Sequence, residues 1–136
     1  MTTVTVHHVA LSAADLSRSG AFYDVLLGEL GYRREHTSDE LLVWAGPGPE
    51  ILVYPVEGDD ATPHTHGRPG LQHLALRVDA TAVVDAVDRA VGAAGGAIVH
   101  PPRRYPEYPF PGYYAVFCAD PDGSRIEILY HTEPTG

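Results

Sequence analysis

Apolar and polar positions alternate at the start of the chain, where Val4, Val6, His8 and Ala10 fall on one side of an extended segment and Val9 and Leu11 on the other. The period then lengthens. Leu16, Phe22, Tyr23, Val25, Leu26 and Leu27 make the broad apolar face of a helix, with Asp15 placed as its N-cap and Gly28 and Gly31 at its end. Strand-type runs follow at Tyr32 to Glu35, Leu41 to Trp44 and Glu50 to Val56, so the first half reads βαβββ.

The same order then returns. His8-Val9-Ala10-Leu11 is restated as His73-Leu74-Ala75-Leu76, which puts both histidines at one equivalent strand position. A second helix is predicted from Val83, Val84, Val87, Val91 and Ala94, with Asp79 or Thr81 as cap and Gly95-Gly96 as stop. Strands are predicted at Ala97 to Val99, Tyr113 to Cys118 and Arg125 to Tyr130. Glu50-Ile51-Leu52 echoes Glu127-Ile128-Leu129 and predicts a carboxylate near the start of each module's last strand, on the face shared by Leu52 and Tyr54 or by Leu129. Residues 57–70 are polar, rich in Pro and Gly and without period, as befits a linker. The expected architecture is α+β: one domain over residues 1–136, with module one at about 4–56 and module two at 71–131, forming a cupped mixed sheet around a shared cleft.

Composition narrows the function. The 136 residues carry 44% hydrophobic and 20% charged side chains, which suits a compact core. A formal charge of -9 with nine Lys+Arg leaves little for a phosphate backbone, so nucleic acid is not an expected partner. No apolar run approaches the ~20 residues of a membrane span, and the N-terminus lacks the pattern of a secretory signal. With a single cysteine, Cys118, read as a buried thiol, these features predict a cytoplasmic protein with no membrane partner.

The strand His8-Val9-Ala10-Leu11, followed by Asp15-Leu16-Ser17-Arg18-Ser19, Ala21-Phe22-Tyr23, Leu26-Leu27-Gly28 and Leu30-Gly31-Tyr32, resembles the opening of vicinal oxygen chelate proteins: glyoxalases, bleomycin-resistance proteins and extradiol dioxygenases. Asp120-Pro121-Asp122-Gly123-Ser124-Arg125-Ile126-Glu127 is similar to that superfamily's closing turn and last strand. Nearly the whole chain is covered. The resemblance implies His8, His73 and Glu127 as ligands of a divalent metal, with Glu50 as the fourth. Imidazole and carboxylate donors suit Fe, Mn, Ni, Co or Zn.

The donor count decides the chemistry. With Glu50 bound, an octahedral ion keeps two places, enough for two adjacent substrate oxygens, and glyoxalase-like lyase or isomerase chemistry follows, with Glu127 or Glu50 moving the proton. With only His8, His73 and Glu127, three places stay open and extradiol-type oxygenation fits. A metal-free protein that sequesters a drug or metabolite is the alternative from another class. Ser12 stands where glyoxalases acting on glutathione adducts carry an arginine, which counts against that substrate.

Arg77, Tyr114 and Tyr54 are the candidate substrate-binding residues of a small-molecule site. Pro101 to Pro111, five prolines among Tyr105, Tyr108 and Phe110, reads as a stiff loop over the cleft mouth rather than a helix or central strand. His64-Thr65-His66 has the spacing of a two-ligand clip but reads as linker filler. Halves this similar permit exchange between chains, so a homodimer is expected.

Overall fold

The structure is a computed structural model and describes residues 2–133. In chain order the elements are β1 (His8–Ala13), α1 (Leu16–Glu29), β2 (Arg33–Thr37), β3 (Leu42–Ala45), β4 (Glu50–Pro55), β5 (Leu74–Arg77), α2 (Thr81–Val91), β6 (Ala97–Arg104), β7 (Tyr114–Ala119) and β8 (Arg125–Tyr130). They form two four-stranded mixed sheets, ordered β1-β4-β3-β2 and β5-β8-β7-β6. Each sheet joins its first and last strands in parallel and the others antiparallel, which is the βαβββ order of the sequence twice over. Among the described residues no helix is long and apolar enough to cross a membrane.

Each helix covers one face of its own sheet. Phe22, Tyr23, Leu26 and Leu27 of α1 pack on Leu42, Trp44, Ile51 and Val53, while Val84, Val87 and Val91 of α2 pack on Val116, Cys118, Ile126 and Ile128. These residues belong to one core, because α1 and α2 also pack on each other. Burying a side chain of this size contributes roughly 1.5–3 kcal/mol, so the helix interface is a large part of what joins the modules. Asp15 caps α1 by accepting the Arg18 N–H at 3.1 Å. At α2 the expected caps are replaced: Ala80 holds the N-cap position and makes no side-chain bond. The burial of its valines is what holds this helix.

A second fastening involves the β7–β8 turn. Tyr23 donates to Asp120 at 2.6 Å, and Asp122 receives Arg18, Ser19 and the Ala14 N–H at 3.1, 3.2 and 3.3 Å. The linker crosses the same turn, where the His64 N–H donates to the Asp122 carbonyl at 2.8 Å. Gly123 sits there at φ 88°, and a Cβ would lie 2.6 Å from the His64 carbonyl oxygen. Both facts require glycine.

Two sequence expectations are corrected. β6 does not end at Val99 but runs through Pro101 and Pro102 to Arg104. It is the edge strand of its sheet and its register shifts on both sides of His100, so the missing N–H groups interrupt no central ladder. At the other end, β1 begins at His8 rather than Val4, because its partner β4 starts at Glu50, level with His8, and β5 begins at Leu74 rather than Leu71, with Leu74 level with Ile126 of β8.

Candidate functional site

The faces not covered by helices carry the candidate chemistry. On the second sheet, His73 stands immediately before β5 and Glu127 on β8, with Nε2 and Oε1 3.1 Å apart. Glu127 is almost fully buried although it is a carboxylate. The Tyr113 hydroxyl donates to its other oxygen, and Tyr105, Tyr113, Ala115 and Leu129 pack around it. Burial, then the hydrogen bond to Glu127 and its charge, push the Tyr113 phenol far above the usual tyrosine range. It therefore remains a proton donor to Glu127 at physiological pH.

His73 Nδ1 meets the Gln72 side-chain oxygen. An imidazole that donates there carries its proton on Nδ1 and presents a bare Nε2 lone pair beside the Glu127 oxygen. Two such acceptors need a cation between them or a second proton on the ring. Two donors at right angles on an ion with bonds of about 2.1 Å lie about 3 Å apart, which the observed separation matches. The pair thus has donor types and spacing that fit a divalent metal.

On the first sheet, His8 and Glu50 are register partners on the adjacent parallel strands β1 and β4. His8 is exposed, with its Nδ1 2.8 Å from that of His7 and the two rings edge to face. Glu50 is half-buried and its N–H donates to the His7 carbonyl at 3.0 Å. Tyr54 lies on the same face, exposed.

The two modules are not matched as their sequence echo suggests. His8 stands opposite Glu50, whereas Leu74 stands opposite Ile126 and Ala75 opposite Glu127, so His73 falls level with Arg125. By register Leu52, opposite Ala10, occupies the place in module one that Glu127 holds in module two. Glu50 shares the face but sits one pleat short.

His73 and Glu127 are brought together; His8 and Glu50 face each other on the other sheet. Among the described residues no group of three or more His, Cys, Asp or Glu converges as a metal site, so one chain does not unite the two pairs. The remaining candidates have other engagements. Tyr114 lies on the helix-covered face and donates to Asp85 of α2 at 2.6 Å, so its hydroxyl does not reach Glu127. Arg77 donates to the His131 carbonyl at 2.9 Å and pairs with Glu133 at 2.7 Å.

Tyr113, His66 and His100 are site neighbours that sequence reasoning missed. The last two line a pocket beside His73. The signals were present: of two adjacent tyrosines at a strand start one must face each side, and the His64-Thr65-His66 spacing lay in the linker that crosses the module boundary.

Residues 5–128 match the family model described as the Glyoxalase/Bleomycin resistance protein/Dioxygenase superfamily. The Bacillus subtilis protein YqjT is 30% identical over 91% of this chain and 97% of its own length. The Pseudomonas aeruginosa protein PA2024 is 32% identical over 93% of this chain and 88% of its own. Among solved structures, a glyoxalase/bleomycin resistance protein from Albidiferax ferrireducens superposes with a TM-score of 0.75 at 27% identity, covering 92% of this chain and 97% of that one. By fold and sequence alike, the chain belongs to the glyoxalase/bleomycin resistance protein/dioxygenase superfamily.

Proposed function

We propose that the protein is a metal-dependent, glyoxalase-like lyase or isomerase acting on a small molecule that presents two adjacent oxygens. The observation that carries this reading is the 3.1 Å approach of His73 Nε2 to the buried Glu127 carboxylate, with Gln72 on the far side of the imidazole and Tyr113 on the far oxygen. His73 and Glu127 would hold the ion from module two and His8 from module one, with Glu50, one pleat away on the same face, as the weaker fourth donor. A divalent ion there supplies Lewis acidity to the paired substrate oxygens.

The chain's own groups then have defined tasks. Glu127 accepts a proton from the carbon next to the substrate oxygens and returns it. Tyr113, kept protonated, holds one carboxylate oxygen so that the other faces the substrate. The packed rings of Tyr105 and Tyr113 keep water from the carboxylate on the core side. Gln72 fixes which imidazole nitrogen is presented.

Because the two donor pairs do not meet within one chain, we place the complete site between module one of one copy and module two of a second, in a homodimer. Mixed dimers test this without a known substrate. His8→Ala and His73→Ala copies should each lose bound metal, and a dimer containing one of each should regain about one ion, because one of its two clefts is intact. Metal content that stays at zero in mixed dimers would overturn the shared site. Full metal binding by His73→Ala would overturn the ligand assignment.

A second reading has its own support. With Leu52 in the register position equivalent to Glu127, only His8, His73 and Glu127 remain at matched donor positions. A three-donor set suits extradiol-type ring cleavage, and consumption of dioxygen with a catechol substrate would favour that reading over the lyase or isomerase.

A further inference from the structure

Beside His73, on the uncovered face of the second sheet, lies a pocket of about 290 Å3. Its lining inverts the charge balance of the chain: it includes Arg103 and Arg125 and no Asp or Glu, in a sequence with 18 acidic and 9 basic residues. His66 from the linker and His100 from β6 add imidazoles, and Tyr105, Tyr108 and Phe117 supply flat walls.

The two arginines are held differently. Arg103 is fixed, with its guanidinium stacked 3.7 Å over the Tyr105 ring, donating to the Arg104 carbonyl at 2.7 Å and pairing with Glu107 at 3.2 Å. Arg125 is half-buried on β8, on the same face as Glu127, and has no salt bridge among the described residues. A partly desolvated guanidinium without a direct ion pair is incompletely compensated, and an anion in the pocket would offset that cost. Its forked donors match the paired oxygens of a carboxylate or a phosphate. The volume sits at the small end of ligand sites, and its aromatic walls suit a flat guest.

We propose that this pocket selects the substrate: a small, flat organic anion whose carboxylate or phosphate group is received by Arg125 and steadied by Arg103, with its oxygen-bearing end directed at His73 and Glu127. The proposal rests on the metal-site reading for that last clause, while the anion subsite stands on the pocket itself. Arg125 is a specificity-determining residue here, two positions from Glu127 on one strand face.

Calorimetric titration of the full-length protein as purified tests this with benzoate, phenyl phosphate and the neutral isostere benzamide, alongside Mn2+ binding measured separately. Benzoate or phenyl phosphate should bind at least about tenfold more tightly than benzamide, and the better of the two identifies the anionic group. Arg125→Gln should weaken that binding by about tenfold or more, and Arg103→Gln by less, while both variants keep wild-type Mn2+ affinity. Retained Mn2+ binding also certifies that the variants are folded. Failure of both anions to bind, equal binding of benzamide, or anion affinity unchanged in Arg125→Gln with Mn2+ still bound would overturn the proposal. Loss of Mn2+ binding in the wild type with anion binding intact would instead overturn the metal reading alone.

Discussion

Tyr23 of the first helix donates its hydroxyl to Asp120 of the β7–β8 turn at 2.6 Å, across the boundary between modules. Both groups are buried, and Asp120 also accepts the N–H groups of Asp122 and Ser124 at 2.9 Å each. Tyr23→Phe removes the donor and leaves a carboxylate oxygen buried without a partner. The expected loss is about 1–3 kcal/mol, read as a lower urea midpoint with an unchanged slope. A midpoint equal to the wild type would show that water takes the tyrosine's place.

Burial pushes the Asp120 carboxyl above the ordinary aspartate range, only partly countered by the Tyr23 and backbone hydrogen bonds. The folded chain therefore keeps this proton to a higher pH than the unfolded chain, whose aspartates titrate near about 3.9. Its contribution to stability is fully present below that value and is lost as pH rises through the folded-state pKa. Measured against Asp120→Asn by urea denaturation, the wild type should gain relative stability as pH falls from neutral toward about 4. A relative stability that rises with pH instead would mean that the hydrogen bonds, not burial, dominate.

Cys118 lies fully buried on β7, and burial together with the nearby charge of Asp120 pushes its thiol up to about 12. Iodoacetamide should leave the folded protein unlabelled at mildly alkaline pH and modify it quickly in denaturant. Rapid labelling of the native protein would indicate local opening of β7.

The displaced register of Glu50 predicts an asymmetry between the two carboxylates. Glu127→Gln should weaken Mn2+ binding by about tenfold or more, whereas Glu50→Gln should leave it within a few-fold of the wild type. Equal losses would make Glu50 a full fourth donor and count against the three-donor, extradiol-type reading.

Much of the fold was legible because it depends on local periodicity. Asp15 before an apolar helical face predicted α1 with its cap, and Arg125 to Tyr130 matches β8 residue for residue. Elements that depend on neighbours were read less well. Pro101 and Pro102 read as part of a stiff loop that no central strand could hold, yet the edge strand β6 carries them, since an edge strand with shifted register has no ladder partner to lose there. Nothing in the adjacent pair Tyr113 and Tyr114 tells which one faces the helix; the start of β7 and the position of Asp85 settle that.

By itself, the sequence determined the repeated βαβββ order, the family and which side chains are candidate donors, because alternation, helical spacing and motif are written in consecutive residues. Tertiary structure alone decided that His73 meets Glu127 while His8 faces Glu50, that one chain keeps these pairs apart, and that the linker's His66 joins Arg125 in one pocket. Strand register and module packing are set by contacts between distant segments, and a shift of two residues in a parallel pair moves a carboxylate by a full pleat without altering its face.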